Sequence, residues 1–502
     1  MASADPVVST SAGRVRGRIE KGIAVFRGIP FAKPPIGPLR FQAPEPPAPW
    51  DGVREAAEFG PAAPQAPMAA EAGQPGPPAD TTGDWLTVNV WTPDPAAARL
   101  PVLVWIYGGA YMFGASSEPG YDGTPFAHGG AVFVSLNYRL GMEGFAQLPG
   151  APANRGLLDA VAALAWVRDN IERFGGDPAN VTVFGESAGA GVIAAMLAMG
   201  QAKGLFRRAI AQSVPGSYFT RELAEDIAQA IADQAGLPNT YQALAEADPM
   251  RLANAQMALT GRLKEFPRWG GVSLTVTPFS PVIDGEVLPR SPWRALLGGA
   301  ASDVELLTGH NRDEYRLFIA MEGRLGKITE EEATAALNAF APGPDGPAAY
   351  RKAFPEADPS AHYELIFSDW LFRMPSLHLA QAHAASGGET YLYELTAPAP
   401  CGPFGACHAL DVPLVFGGSG EGLGIALLGE KTPPDYVTLG DTMRREWLSF
   451  AATGDPGWPA YGTEHRTTRV YDLQPDVLSY PEETSMHLWE RHQFDALGLP
   501  GD

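Results

Sequence analysis

The chain has 502 residues, about three times the size at which one compact domain is commonest. Apolar residues are 45% of it, and its 57 glycines and 48 prolines stay below the ~25–30% that marks low-complexity chains. A disordered chain is therefore excluded. The net charge of −21 leaves no excess of Lys or Arg to neutralise phosphates, which argues against nucleic acid and anionic membrane surfaces as partners.

The start, MASADPVVSTSAGRVRGRIEKG, has no apolar core behind a basic head. The expectation is a cytoplasmic protein without a signal peptide. No run reaches the ~18 apolar residues of a membrane span. Phe59–Gly83 is dense in Pro, Ala and Gly and is expected to be a long surface loop, since strand-like sequence follows at once. Short apolar runs bounded by turn signals then recur: Leu86–Trp91, Val102–Ile106, Ala131–Leu136, Val181–Phe184, Val304–Leu307 and Tyr391–Leu395. Runs of this length, rich in Val, Ile and aromatics, fit buried strands.

Gly156–Phe174 places Leu157, Val161, Leu164, Arg168 and Ile171 at helical spacing, the pattern of an amphipathic helix on a sheet. Strand, helix, strand in that order predicts a mostly parallel sheet covered by helices. Residues 220–265 and 326–386 read as helical insertions in a single domain spanning 1–502.

Val181–Phe184 runs into Gly185–Glu186–Ser187–Ala188–Gly189 and then an Ala-rich helical stretch. This is G-x-S-x-G where a strand turns sharply into a helix. Side chains at the flanking positions would strike neighbouring strands, and the serine is exposed where backbone N–H groups stabilise negative charge. A serine hydroxyl needs a base, usually a histidine oriented by a carboxylate. In chain order the acid should follow the serine and the histidine follow the acid. Asp313 and Glu314 lie just beyond a strand-like run, and spacing does not separate them. Seven histidines follow Glu314; His408, in CGPFGACHALD, sits in a loop suited to presenting a side chain. Upstream, Val102–Tyr107 leads into Gly108–Gly109–Ala110–Tyr111, where close-lying backbone N–H groups fit the second arm of an oxyanion hole.

These motifs resemble the type-B carboxylesterases, relatives of the cholinesterases within the α/β-hydrolase fold, and most of all the bacterial para-nitrobenzyl esterases. The resemblance covers nearly the whole chain and includes FRGIPFAKPPIGPLRF, VWIYGGAYMFGASSEPGYDG, NYRLG, the segment from NRGLLDAVAALAW to VFGESAG, PVIDGEVLP, GHNRDE and GACHALDVPLVFG. It implies Ser187 as nucleophile, Glu314 as acid and His408 as base, with the N–H groups of Gly109, Ala110 and Ala188 as oxyanion donors. It implies Glu186 as a buried carboxylate near the triad and brings Tyr218 and Phe219 near an acyl-pocket aromatic. Tyr107, Tyr111, Ser213, Tyr315 and Phe404 complete the expected neighbourhood.

Three positions depart from the family pattern. Gly83–Asp84–Trp85–Leu86 replaces a cysteine motif, Tyr315 replaces a glycine after the acid, and Asp411 stands where Glu is usual. The implied function is a serine esterase for small to medium uncharged carboxylic esters, working through an acyl-enzyme as a monomer or weak homo-oligomer. No metal or cofactor is expected. The alternatives are a lipase, an amidase or carbamate hydrolase on the same triad, and a non-catalytic binding protein on the same fold. Cys401 and Cys407 bracket the loop before His408 and are expected to be reduced thiols.

Overall fold

A computed structural model describes residues 5–67, 83–418 and 422–500; most of the expected Phe59–Gly83 loop lies outside the described residues. Eleven strands form the main sheet. In chain order they are β1 (Arg18–Glu20), β2 (Ile23–Pro30), β3 (Thr87–Thr92), β4 (Leu100–Ile106), β5 (Val132–Leu136), β6 (Gly176–Glu186), β7 (Arg208–Gln212), β8 (Glu305–Asn311), β9 (Thr390–Leu395), β10 (Thr467–Tyr471) and β11 (Asp476–Ser479). Their spatial order is β1-β2-β3-β5-β4-β6-β7-β8-β9-β10-β11. From β5 to β10 neighbouring strands run parallel, while β1–β3 and β11 pair antiparallel at the two ends.

The six apolar runs are all strands, within a few residues at their ends. Central β5 and β7 are buried along their whole length, as expected of parallel strands covered on both faces. β7 was not among the apolar runs because Arg208 opens it and Gln212 closes it. Arg208 is buried there by donating to Ala451 O at 3.0 Å and pairing with Glu305. A small sheet of Val7–Ser9, Arg14–Arg16 and Val53–Glu55 and a two-stranded pair, Phe219–Thr220 with Val282–Ile283, stand apart from the main one.

The amphipathic segment forms the helix Arg155–Asn170 and continues as a 3-10 turn to Phe174. Helix Ala188–Ala198 is buried all round up to Leu197, which its uniformly apolar sequence requires; it packs on β6 and β7. Stretch 220–265 carries the helices Arg221–Ala235, Tyr241–Glu246 and Pro249–Thr260. Stretch 326–386 carries Glu330–Phe340, Gly346–Ala353, Pro359–Ser368 and Met374–Ala385. Among the described residues no helix is long and apolar enough to cross a membrane.

Register decides where chemistry can occur. Ile106 stands opposite Gly185, Glu186 opposite Gln212, and Gln212 opposite Gly309. The C-terminal ends of β4, β6, β7 and β8 are thus level, and four loops leave the sheet along one edge, the usual location of sites in open α/β sheets.

Candidate active site

β6 ends at Glu186 and the next helix begins at Ala188, so Ser187 alone makes the turn. It does so at φ 56°, ψ −124°, a backbone conformation that costs a non-glycine residue energy and persists only where surroundings enforce it. The enforcement is steric. A Cβ on Gly185 would lie 2.5 Å from Ile106 O, and one on Gly189 only 2.0 Å from the same oxygen. The two glycines let the elbow press against the end of β4, which is the crowding the motif implied.

The loop after β4 passes beside this elbow. A Cβ on Gly108 would stand 3.0 Å from Ser187 Cβ. Gly109 (φ 109°), Ala110 (φ 54°) and Tyr111 (φ 61°) all take left-handed backbone, and a Cβ on Gly109 would sit 2.3 Å from Phe113 O. Thr277 Oγ1 donates to Ala110 O at 2.9 Å, and Gln65 exchanges hydrogen bonds with Gly114. The N–H groups of Gly109, Ala110 and Ala188 donate to no acceptor among the described residues. Gly109 and Ala110 are half-buried and Ala188 is buried; three unpaired donors beside one serine could receive an oxyanion.

The candidate acid, Glu314, and the candidate base, His408, lie on the loops after β8 and β9. His408 Nδ1 lies 2.6 Å from Glu314 Oε2. The other oxygen of Glu314 accepts from Ser213 Oγ at 2.6 Å and from Asn311 N at 2.8 Å, so both are used and the carboxylate is fixed. Asp313, which spacing could not separate from Glu314, turns elsewhere: its Oδ2 accepts from Ala406 N at 2.8 Å and ties down the loop before His408.

Three buried carboxyls face the imidazole. Glu186 Oε1 lies 3.0 Å from His408 Nε2, and Asp411 is held by Gln212 Nε2 and Tyr393 OH, each at 2.8 Å. Burial alone would lower the His408 pKa, but the charges of Glu186 and Glu314 outweigh it and raise it to about 9. Burial pushes the Glu186 carboxyl up to about 8. The two groups lie 3.0 Å apart, and the net direction for the imidazole is upward. No hydrogen bond joins Ser187 Oγ to His408 among the described residues; Nε2 is turned toward Glu186. Catalytic hydrogen bonds are often long or poorly aligned in unliganded sites.

Aromatic rings complete the base's surroundings. Phe372 stacks on the imidazole at 4.1 Å between ring centres, and Phe318 lies at 5.3 Å. Sequence reading had not singled out these two, nor Gln212, Tyr393 and Asn311. The only signal for Phe318 was its place one helical turn beyond Glu314.

The remaining expected neighbours divide by what they touch. Tyr107 stacks on Tyr138 at 4.7 Å beneath the oxyanion loop. The Tyr111 hydroxyl occupies the space a Cβ on Gly191 would need. Tyr315 is buried in an aromatic cluster, stacked on Phe367 at 4.2 Å. Tyr218 and Phe219 are packing residues: the Tyr218 hydroxyl donates to Gly191 O at 2.9 Å with its ring against Trp293, and Phe219 pairs with Val282. Phe404 is half-buried with its ring over Gly402. Cys401 and Cys407 are free cysteines, and burial pushes the Cys407 thiol well up, away from reactivity. Among the described residues no cluster of His, Cys, Asp and Glu has an arrangement that could hold a metal ion.

A family model described as "Carboxylesterase family" matches residues 4–489. The chain is 37% identical to the para-nitrobenzyl esterase of Bacillus subtilis (strain 168), over 95% of this chain and 96% of that one. It is 33% identical to a phenmedipham hydrolase of Pseudarthrobacter oxydans, over 91% and 93%. Among solved structures, a Geobacillus stearothermophilus carboxylesterase superposes with a TM-score of 0.83 at 37% identity, covering 96% of this chain and 99% of that one.

Proposed function

This chain belongs to the carboxylesterase family, has the α/β-hydrolase fold and hydrolyses carboxylic esters; from that premise we propose that Ser187, His408 and Glu314 carry the reaction. His408 Nε2 takes the Ser187 proton as Oγ attacks the ester carbonyl. The N–H groups of Gly109, Ala110 and Ala188 receive the oxyanion, and the imidazolium then delivers its proton to the leaving alcohol. Water repeats the cycle on the acyl-enzyme and releases the acid. Glu314 keeps Nδ1 protonated throughout, so that Nε2 is the atom free to accept.

The observation that carries this reading is the 2.6 Å contact between His408 Nδ1 and Glu314 at the sheet edge where the strained serine and three unpaired N–H groups meet. The substrates are small to medium uncharged esters. Bringing a charged acyl group out of water beside the carboxyls of Glu186, Glu314 and Asp411 is costly, whereas the Phe318 and Phe372 rings favour apolar ones. The same reading takes the chain as one catalytic domain with helical insertions, cytoplasmic, and a monomer or weak homo-oligomer.

A panel of p-nitrophenyl esters from acetate to palmitate, with phenmedipham as a second substrate class, tests it. Expected are a preference for acyl chains of about two to eight carbons and a loss on the order of 10⁴-fold or more in Ser187→Ala and in His408→Ala, the double variant losing little more. Near-normal turnover in either single variant sinks the assignment.

A further inference from the structure

Between Pro359 and Ala385 the chain is helical, but its hydrogen-bond ladder changes once. Asp369–Arg373 forms a π turn between the helices Pro359–Ser368 and Met374–Ala385. Such turns are rare and collect at functional sites. Five contacts tie this one and its flanks to the loop after β7, the loop that carries the acid, and the base itself. Ser368 Oγ accepts from Tyr315 N at 3.0 Å, one residue after Glu314. Arg373 Nη1 donates to Arg312 O at 3.1 Å, two residues before it. Leu371 O accepts from Gly216 N at 2.8 Å, and Ser376 Oγ accepts from Val214 N at 2.9 Å, next to the Ser213 that holds Glu314. The fifth contact is the Phe372 ring on His408, at 4.1 Å with 28° between the planes.

Arg373 braces the turn from inside. Its side chain is buried, with Nη2 2.8 Å from Asp369 Oδ1 at the turn's first residue. The same nitrogen donates to Ser485 Oγ at 2.9 Å and Glu482 Oε2 at 3.2 Å. Asp369 Oδ2 accepts from Tyr350 OH at 2.7 Å, and Trp489 Nε1 donates to that hydroxyl. One guanidinium thereby joins the start and end of the π turn, the acid loop and the segment 482–489.

Resting on the assignment of His408 as base, we propose that Arg373 is a positioning residue for ester hydrolysis: it locks the π turn so that Phe372 presents its ring face to the imidazole while the acid loop is held in register. A ring face holds one imidazole orientation and attracts the positive charge that forms when Nε2 takes the serine proton. Arg has the fork this requires. A lysine ammonium supplies the charge but cannot span Arg312 O and Glu482 together.

The test measures kcat, KM and the pH profile of kcat/KM on p-nitrophenyl butyrate for wild type, Phe372→Leu, Phe372→Tyr, Arg373→Lys and His408→Ala. Phe372→Leu should lower kcat about tenfold with KM nearly unchanged. It should also move the acid limb to lower pH, because the imidazolium loses its ring face. Glu186, Glu314 and Asp411, the charged groups facing His408, are untouched in these variants, so the limb reports the ring. Phe372→Tyr should recover most of the loss. Arg373→Lys keeps the charge that Asp369 and Glu482 need for folding; it should lower kcat severalfold and shift the limb in the same direction, by less. A Phe372→Leu or Arg373→Lys enzyme that melts earlier but keeps wild-type kcat and pH limb overturns the positioning role. Turnover lost in His408→Ala but unchanged in Phe372→Leu overturns it alone, whereas turnover retained in His408→Ala overturns the base assignment and this proposal together.

Discussion

Ser187 and His408 stand at the same edge of one sheet and are held there by different forces. The serine side is fixed by main chain against main chain. Gly185 and Gly189 press on Ile106 O, Gly108 abuts Ser187 itself, and the following helix is apolar on every face. The histidine side is fixed by side chains reaching in from distant parts of the sequence: Ser213 after β7, Asn311 at the end of β8, Glu314 beyond it, Tyr393 in β9 and Phe372 in the π turn. A steric clamp tolerates a change of charge and fails on one added methyl. A hydrogen-bonded clamp does the reverse. The predictions below set these two sensitivities against each other.

The largest effect is expected on the histidine side from a change that adds no volume. In Glu314→Gln an amide replaces the carboxylate that accepts the Nδ1–H hydrogen bond, and the imidazole is free to take the tautomer with its proton on Nε2. The expected loss in kcat on p-nitrophenyl butyrate is on the order of 10⁴-fold, with little change in the thermal melt. A loss below tenfold means that packing, not charge, holds the base.

The converse change on the serine side is Gly189→Ala. Its methyl would lie 2.0 Å from Ile106 O and 2.9 Å from Tyr107 O, both backbone atoms that move only if β4 moves. Displacing the elbow by a fraction of an ångström should cost on the order of 10²-fold in kcat, and overpacking about 1–3 kcal/mol in stability. Steady-state kinetics and a urea melt check both. An enzyme of wild-type rate and stability would show that the elbow is not sterically set.

This difference also explains what was legible in the sequence. The elbow and the oxyanion loop could be read because steric demand leaves a local signature: glycines at fixed offsets between a strand and a helix. Six strands were legible because buried strands carry short runs rich in Val, Ile, Leu and aromatics. β1, β2, β7, β10 and β11 were not: charged residues interrupt them, with Arg208 buried beside Glu305 and Arg469 half-buried against Glu446, and β11 is exposed along its length. The choice between Asp313 and Glu314 could not be made from spacing, because adjacent loop residues carry no periodicity; the resemblance made it. Nor could local sequence pair Gln212 with Asp411, 199 residues apart, or place Phe372 on His408. Such contacts exist only once the strand order brings the loops together.

A smaller effect, on pH dependence, comes from Glu186, which belongs to both sides: it is the last residue of β6 and faces His408 Nε2. Because the His408 pKa is raised, its proton is held to higher pH than in a free histidine, near 6.5. The neutral base is therefore lost as pH falls through a value above the ordinary one, and the acid limb of kcat/KM should lie above pH 6.5. Glu186→Gln removes one of the facing carboxylates, so the limb should move down by about one unit or more. Profiles from pH 5 to 10 decide it. An unmoved limb would mean that Glu186 is already neutral when the base works.

The last change tests the serine side for spare room, and on the ordinary substrate its effect is the smallest expected. Ala110 is the proposed middle donor to the oxyanion, and it stands at φ 54°, where a Cβ is strained and glycine is not. Thr277 Oγ1 fixes its carbonyl at 2.9 Å, so removing the methyl in Ala110→Gly should leave the donor where it is. Rates on p-nitrophenyl butyrate, whose leaving group is flat, should then change by less than about threefold. The methyl beside the reacting carbon should matter for a tertiary alcohol, whose branches fill the same space. Relief of one methyl-sized clash is worth ~1–3 kcal/mol. Hydrolysis of tert-butyl acetate, expected to be slow in the wild type, should therefore rise roughly ten- to hundredfold in Ala110→Gly. If both esters gain equally, the glycine has improved the oxyanion geometry rather than opened space. If neither gains, the alcohol side is limited by other walls, and the steric economy of the serine side does not extend beyond the elbow.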